Sequence, residues 1–158
     1  MTRFDFCFEH VVGLEGGHVN DPADAGGETR YGITRRDHAA AWLTGPPTLE
    51  QAKAIYDEQY WRAAGCDKLP APWDLLAFDA AVNQGRWAAI QAIQAAIGIE
   101  QDGRVGPQTI AACTAAGKEQ VALALAHRAR KYATTMGFDR FGLGWLKRTY
   151  LIAMATGE

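Results

Sequence analysis

The sequence predicts a mainly helical fold, all-α or α+β with no more than a small β-hairpin near residues 19–34. Three observations carry that prediction. Apolar residues recur three and four apart in successive stretches: Phe4, Phe8, Val11 and Val12, then Leu75, Phe78 and Val82, then Trp87, Ile90, Ile93 and Ile97. Thr2 with Asp5, and Thr48 with Gln51, stand where a helix start needs side-chain caps. Turn formers and paired glycines gather between Gly16 and Gly32, which leaves room there for a loop or one short hairpin.

Taken in order, the first helix starts after Thr2 and is expected to run to Gly16-Gly17, which puts Glu15 in its last turn. Thr34 with Asp37 caps a short helix over Arg35 to Leu43, and Gly45-Pro46-Pro47 breaks it. A further helix follows from Leu49 to about Tyr60-Trp61, two aromatics that serve either the core or a sugar platform. Gly65 to Pro72 reads as a loop. The next helix begins at Pro72 or Trp73, with Leu75, Phe78 and Val82 on its apolar face. Asp79 and Asn83, four apart, share another face. Asp79 there either lines a cleft or is a buried structural acid.

From Trp87 an apolar stripe marks a helix ending at Gly98. Asp102-Gly103 is a turn, and Gly106-Pro107 starts the next helix with proline at its first position. A long helix spans 118–136, with Val121, Leu125, Arg128 and Tyr132 on one stripe and Gly137 as its stop. Phe141 to Trp145 reads as a Gly-aromatic loop before a last helix, Leu146 to Ala155, which Trp145 packs onto the core.

Composition excludes several classes. At 158 residues and 48% hydrophobic content, the chain can bury a core without staples. A net charge of −2 gives no reason to expect nucleic acid or an anionic membrane, and no stretch is long and apolar enough for stable membrane insertion. The charge is uneven, however: residues 118–158 carry seven Lys and Arg against three Asp and Glu. The sequence has no serine, so no serine nucleophile exists. Cys7, Cys66 and Cys113 match no metal or redox spacing and read as small buried hydrophobes. A Cys-His nucleophile with His10, His18, His38 or His127 has no supporting motif. No metal and no cofactor is expected. Asp5, Glu9 and His10 interrupt any apolar run near the start, so a cytoplasmic product without a signal peptide is expected.

The chemistry concentrates in Leu14 to Thr34. A carboxyl in the last turn of a helix is partly desolvated and near the negative end of the dipole, and both effects raise its pKa. That suits Glu15 to a general acid. Asp24, on a glycine-flanked polar loop, suits an ionised partner, and such pairs perform glycoside hydrolysis.

The residues E-G-G at 15–17 followed by N-D-P-x-D-x-G-G-x-T-x-Y-G-I-T at 20–34 resemble glycoside hydrolase family 108, the N-acetylmuramidases of phage and prophage endolysins. The order of Glu15, Asp24 and Thr29 is similar to that of phage-type lysozymes, with the gap to Thr29 one residue shorter here. The family also carries an F-D-x-A-V-N-x-G segment like residues 78–85, and an F-x-x-G-W-x-x-R run matched by Phe141, Gly144, Trp145 and Arg148. Residues 86–158, with D-G-R-V-G-P-Q-T at 102–109, resemble a peptidoglycan-binding module found after such sequences.

The resemblance implies a lysozyme-like two-lobed fold, with a catalytic region over 1–85 and a helical peptidoglycan-binding region over 86–158 packed on it as one globule. It implies a lysozyme that hydrolyses the β-1,4 bond between N-acetylmuramic acid and N-acetylglucosamine of bacterial peptidoglycan. Glu15, Asp24 and Thr29 would be catalytic, and His18, Tyr31, Asn83 and Gln84 would bind substrate. Release to the wall would need a holin-type pore. A lytic transglycosylase acting on the same bond, and a non-catalytic wall-binding module, are the alternatives.

Overall fold

The computed structural model describes residues 1–13, 18–19 and 28–157. Among these, the chain forms a mainly α, lysozyme-like fold with a small antiparallel sheet. It divides into two compact units, Met1–Glu58 and Gln59–Glu158.

In the first unit, α1 (Arg3–Val12) opens with a full capping box between Thr2 and Asp5. Lys53 of α2 (Leu49–Tyr56) places its Nζ 2.5 Å from the Asp5 carboxylate. Lys53 first, and then the Thr2 hydroxyl, hold that carboxyl well below the usual carboxylate range. The helix ends sooner than the sequence suggested. Gly13 takes a positive φ of 78° and its N–H donates to the Glu9 carbonyl, so Val12 is the last helical residue. Glu15, expected in the last turn of this helix, lies outside the described residues.

Three two-residue strands form the sheet in the order β1-β2-β3: β1 (His18–Val19), β2 (Thr29–Arg30) and β3 (Ile33–Thr34). The β-hairpin expected near residues 19–34 is present and gains a third strand through Ile33 and Thr34. Asp37 N–H donates to Thr34 Oγ1 as the sequence implied. The helix after it is shorter than expected, a single 3₁₀ turn over Ala39–Trp42. The reason lies in the ladder, because Arg35 N–H still donates to the Glu28 carbonyl and so belongs to the sheet edge. Cys7, Phe8, Val11, Ile33, Trp42, Ala52 and Tyr56 form the core of this unit. Phe8 meets Tyr56 edge-on, with ring centroids 5.5 Å apart.

Helix α2 starts with the expected Thr48–Gln51 capping box and continues into a π-helical stretch over Asp57–Arg62. Within the second unit, Trp61 is buried edge-on against Phe78 at 5.4 Å, which resolves it as core. Helix α3 (Trp73–Gln84) was expected to bury one face. Instead every residue from Trp73 to Ala81 is buried, as in a helix enclosed by its neighbours. Around it pack α4 (Arg86–Ala96), α6 (Lys118–Ala133) and α7 (Phe138–Ala155), with α5 (Pro107–Ala115) after the Asp102 turn.

Helix α7 departs from the sequence reading. The Phe141–Trp145 segment is not a loop, and the helix runs unbroken from Phe138. Gly142 is buried, and a Cβ there would come within 2.7 Å of the Phe138 ring, so this glycine permits packing rather than a turn. Gly137, with φ of 89°, separates α6 from α7. Trp145 stacks on Tyr132 with centroids 5.2 Å apart, joining α7 to α6 as anticipated. All three cysteines are buried and none forms a disulfide among the described residues, and burial pushes the Cys113 thiol up to about 11.

A fragment of residues 1–86 would strip α4, α6 and α7 from an α3 that is buried on all sides. Each large apolar side chain so uncovered forfeits about 1.5–3 kcal/mol. We expect this fragment to show no cooperative melting transition by circular dichroism. A cooperatively melting 1–86 fragment would show that the C-terminal helices are dispensable.

Candidate active site

The site is built in the first unit from the hairpin. Val19 pairs with Thr29 and His18 with Arg30, so the sheet holds β1 against β2. Thr29 also pairs with Thr34, and Arg30 with Ile33. Between β2 and β3 lie Tyr31 and Gly32, both at positive φ, 51° and 74°. Two consecutive left-handed residues make the tight turn whose twist matches paired strands. Glycine at 32 is enforced twice, by its φ and by space. A Cβ there would lie 2.4 Å from the Tyr56 hydroxyl. Tyr56, in turn, is wedged against Phe8 of α1. The turn is thus seated on the α1–α2 core, and β2 with Thr29 inherits that position.

Tyr31 is half-buried, and the Arg30 guanidinium lies 5.2 Å from its ring centroid. The Arg30 Nε is buried with no hydrogen-bond partner among the described residues. Arg30, a residue the motif reading passed over, therefore puts a cation on the strand that carries Thr29. Its sequence signal was only its place between Thr29 and Tyr31. Glu28 and Arg35 close the sheet edge with a 3.2 Å ion pair. The backbone of His18 lies in β1. Glu15 and Asp24, like the two Gly-Gly pairs, lie outside the described residues.

In the second unit, Asn83 and Gln84 end α3. Asn83 is exposed and its side-chain carbonyl accepts a hydrogen bond from the Tyr132 hydroxyl. Tyr132 also accepts from Arg128, at 2.9 Å from Nη2. One turn back along α3, Asp79 is fully buried and meets two guanidiniums: Arg128, and Arg148 with Nε 2.6 Å from its carboxylate. Of the two roles left open for Asp79, the structure selects the buried structural acid. Asp79 and Asn83 do share a face, and the arginine-tyrosine group from α6 and α7 spans both. Among the described residues no group of three or more His, Cys, Asp or Glu side chains could hold a metal ion. No helix among them is long and apolar enough to cross a membrane.

The model of the family described as Glycosyl hydrolase 108 matches residues 8–85. The chain is similar to the solved structure of Brucella abortus SagA, at 30% identity and a TM-score of 0.81, over 97% of this chain and 92% of that one. The chain belongs to the glycosyl hydrolase 108 family. It is a glycoside hydrolase of the N-acetylmuramidase type, and the polymer such a hydrolase degrades is peptidoglycan. No curated protein matches it at comparable strength. The family-108 match begins inside α1 and ends at Gly85, so it contains the whole hairpin and all of α3.

The seating of the hairpin turn can be tested at one atom. Gly32→Ala adds a methyl into the Tyr56 hydroxyl at a φ that L residues avoid. Strain and overpacking together should cost about 2 kcal/mol or more. Urea denaturation measures this, and a loss under about 0.5 kcal/mol would mean that the turn is not seated on Tyr56.

Proposed function

We propose that this family-108 hydrolase is a lysozyme that cleaves the β-1,4 bond from N-acetylmuramic acid to N-acetylglucosamine, with Glu15 as general acid. The observation that carries the reading is the sequence order of Glu15, Asp24 and Thr29 inside the matched family span, with Thr29 held in register against Val19. Glu15 protonates the glycosidic oxygen as the bond breaks. Asp24 stays ionised and either orients the attacking water or steadies the oxocarbenium-like centre, and Thr29 helps to hold that water. A general acid of this kind contributes about 10²–10⁴ in rate.

His18, Tyr31, Asn83 and Gln84 belong to substrate binding in the same reading. Tyr31 offers an aromatic face beside Arg30, and Asn83 an exposed amide at the end of α3. The endolysin setting, with release through a holin-type pore and action on the wall, rests on the family resemblance. So does a contribution of residues 86–158 to peptidoglycan binding.

Glu15→Gln keeps the side chain's shape and removes its proton. Clearing of purified cell walls should fall by at least about 10²-fold, with melting unchanged. Wild-type products should carry one added water per cut bond by mass spectrometry. A well-folded, active Glu15→Gln protein would remove Glu15 from the mechanism. Anhydro-sugar products would mean that the transglycosylase alternative holds instead.

A further inference from the structure

A pocket of about 330 Å³ opens within the second unit, lined chiefly by Arg62, Lys68, Arg86, Trp87, Gly103 and Arg104. Four of its wall residues are cationic, and no acidic residue among the described ones lines it. Among the described residues, no hydrogen bond or ion pair engages the side-chain cations of Lys68, Arg86 or Arg104. Like charges gathered in one wall repel one another, and the arrangement becomes more favourable when an anion enters.

The turn that carries Arg104 is braced from within. The Gln94 side chain is buried under the Asp102 turn and reads it from within. Its Nε2 donates to Asp102 Oδ1 at 2.7 Å and to the Arg104 carbonyl at 3.0 Å, and its Oε1 accepts from Gly103 N–H at 2.8 Å. Asp102 also accepts from Arg104 N–H at 2.9 Å. Those bonds, Gln94 first, hold the Asp102 carboxyl below its usual range, so this acid is already engaged in shaping the loop. Gly103 in turn supports Trp87. A Cβ at Gly103 would come within 2.7 Å of the indole, so only glycine lets the loop lie against the ring. Trp87 is nevertheless 56% exposed. An exposed indole beside guanidiniums offers a flat apolar surface and planar hydrogen-bond donors for a carboxylate in one place.

We propose that this pocket is a specificity subsite for the free carboxylates of the peptide carried by the glycan strand, with Arg86 and Arg104 gripping the carboxylate and Trp87 stacking on the adjoining sugar or peptide. The proposal rests on the peptidoglycan reading above and adds to it a preference between chemical forms of the wall. Carboxylate and carboxamide have nearly the same shape, but only the first gains charge-assisted hydrogen bonds from the arginines.

Calorimetric titration of the full chain tests this with two probes: a muramyl dipeptide with free carboxylates, and the same compound with both as carboxamides. The acid form should bind about tenfold or more tightly than the amide, as expected for hydrogen bonds to a charged group. That preference should shrink as salt is raised from 0.05 to about 0.5 M. Arg86→Gln with Arg104→Gln should abolish it, and Trp87→Ala should weaken both forms. Equal affinity of the wild-type chain for the two forms overturns the proposal and needs no variant. So does inorganic phosphate displacing the acid form equally well in wild type and Trp87→Ala, which would mark a simple anion site. Clearing of walls by a chain with no acid preference would sink this subsite alone, while acid preference in a chain that clears no walls would sink the hydrolase mechanism and leave the subsite standing.

Discussion

The carboxylate of Asp79 lies fully buried in the middle of α3, and two arginines from two other helices close on it. Removing a charge from water costs several kcal/mol, which only good pairing offsets. Here the pairing decides where α6 and α7 can be. Arg128 is nearly as buried as the acid, and Arg148 keeps about a third of its side chain in water. The second cation therefore need not be neutralised inside the protein. Tyr132 and Asn83 continue the network to the end of α3, and Trp145 stacks on Tyr132 from α7. A misplacement of either helix would leave a charge unpaired, so the network specifies geometry whether or not it adds net stability.

A parallel constraint of shape acts in the first unit. Tyr56, held by Phe8, leaves room above its hydroxyl for a glycine and for nothing larger. The hairpin turn is placed by that contact, and the strand carrying Thr29 follows from it. In each unit an element of the family-108 motif is thus positioned by a residue outside the motif: Tyr56 for the hairpin, and Arg128 with Tyr132 for the end of α3.

Much of the fold was legible in the sequence because its signals are local. The capping boxes at Thr2 and Thr48, the proline opening α5 and the stripe of α4 are each complete within a few residues. Where sequence and structure part, a glycine does not mark a break. Gly142 allows Phe138 to pack and the helix continues, whereas Gly13, which did end α1, carried no distinctive pattern around it. The extent of burial of α3 was hidden because its partners lie far along the chain, Arg148 being 69 residues from Asp79. For the same reason one sequence pattern left two roles open for that acid. At the candidate site the motif order was plain to read, but the cationic pocket was not. Its cations are scattered from Arg62 to Arg104, and the fold gathers them beside Trp87, with Gln94 bracing the turn that carries Arg104.

If Asp79 is what fixes α6 and α7, its charge should matter more than its shape. Urea unfolding of Asp79→Asn measures this directly, since asparagine fills the same space and leaves two guanidiniums without their counter-ion. Breaking a buried pair in this way costs about 3–5 kcal/mol, a large part of the roughly 5–15 kcal/mol that holds a domain together. We expect a loss in that range, with the midpoint lowered and the unfolding slope unchanged. A stability within about 1 kcal/mol of wild type would contradict the account and make the arginine pair incidental to the fold.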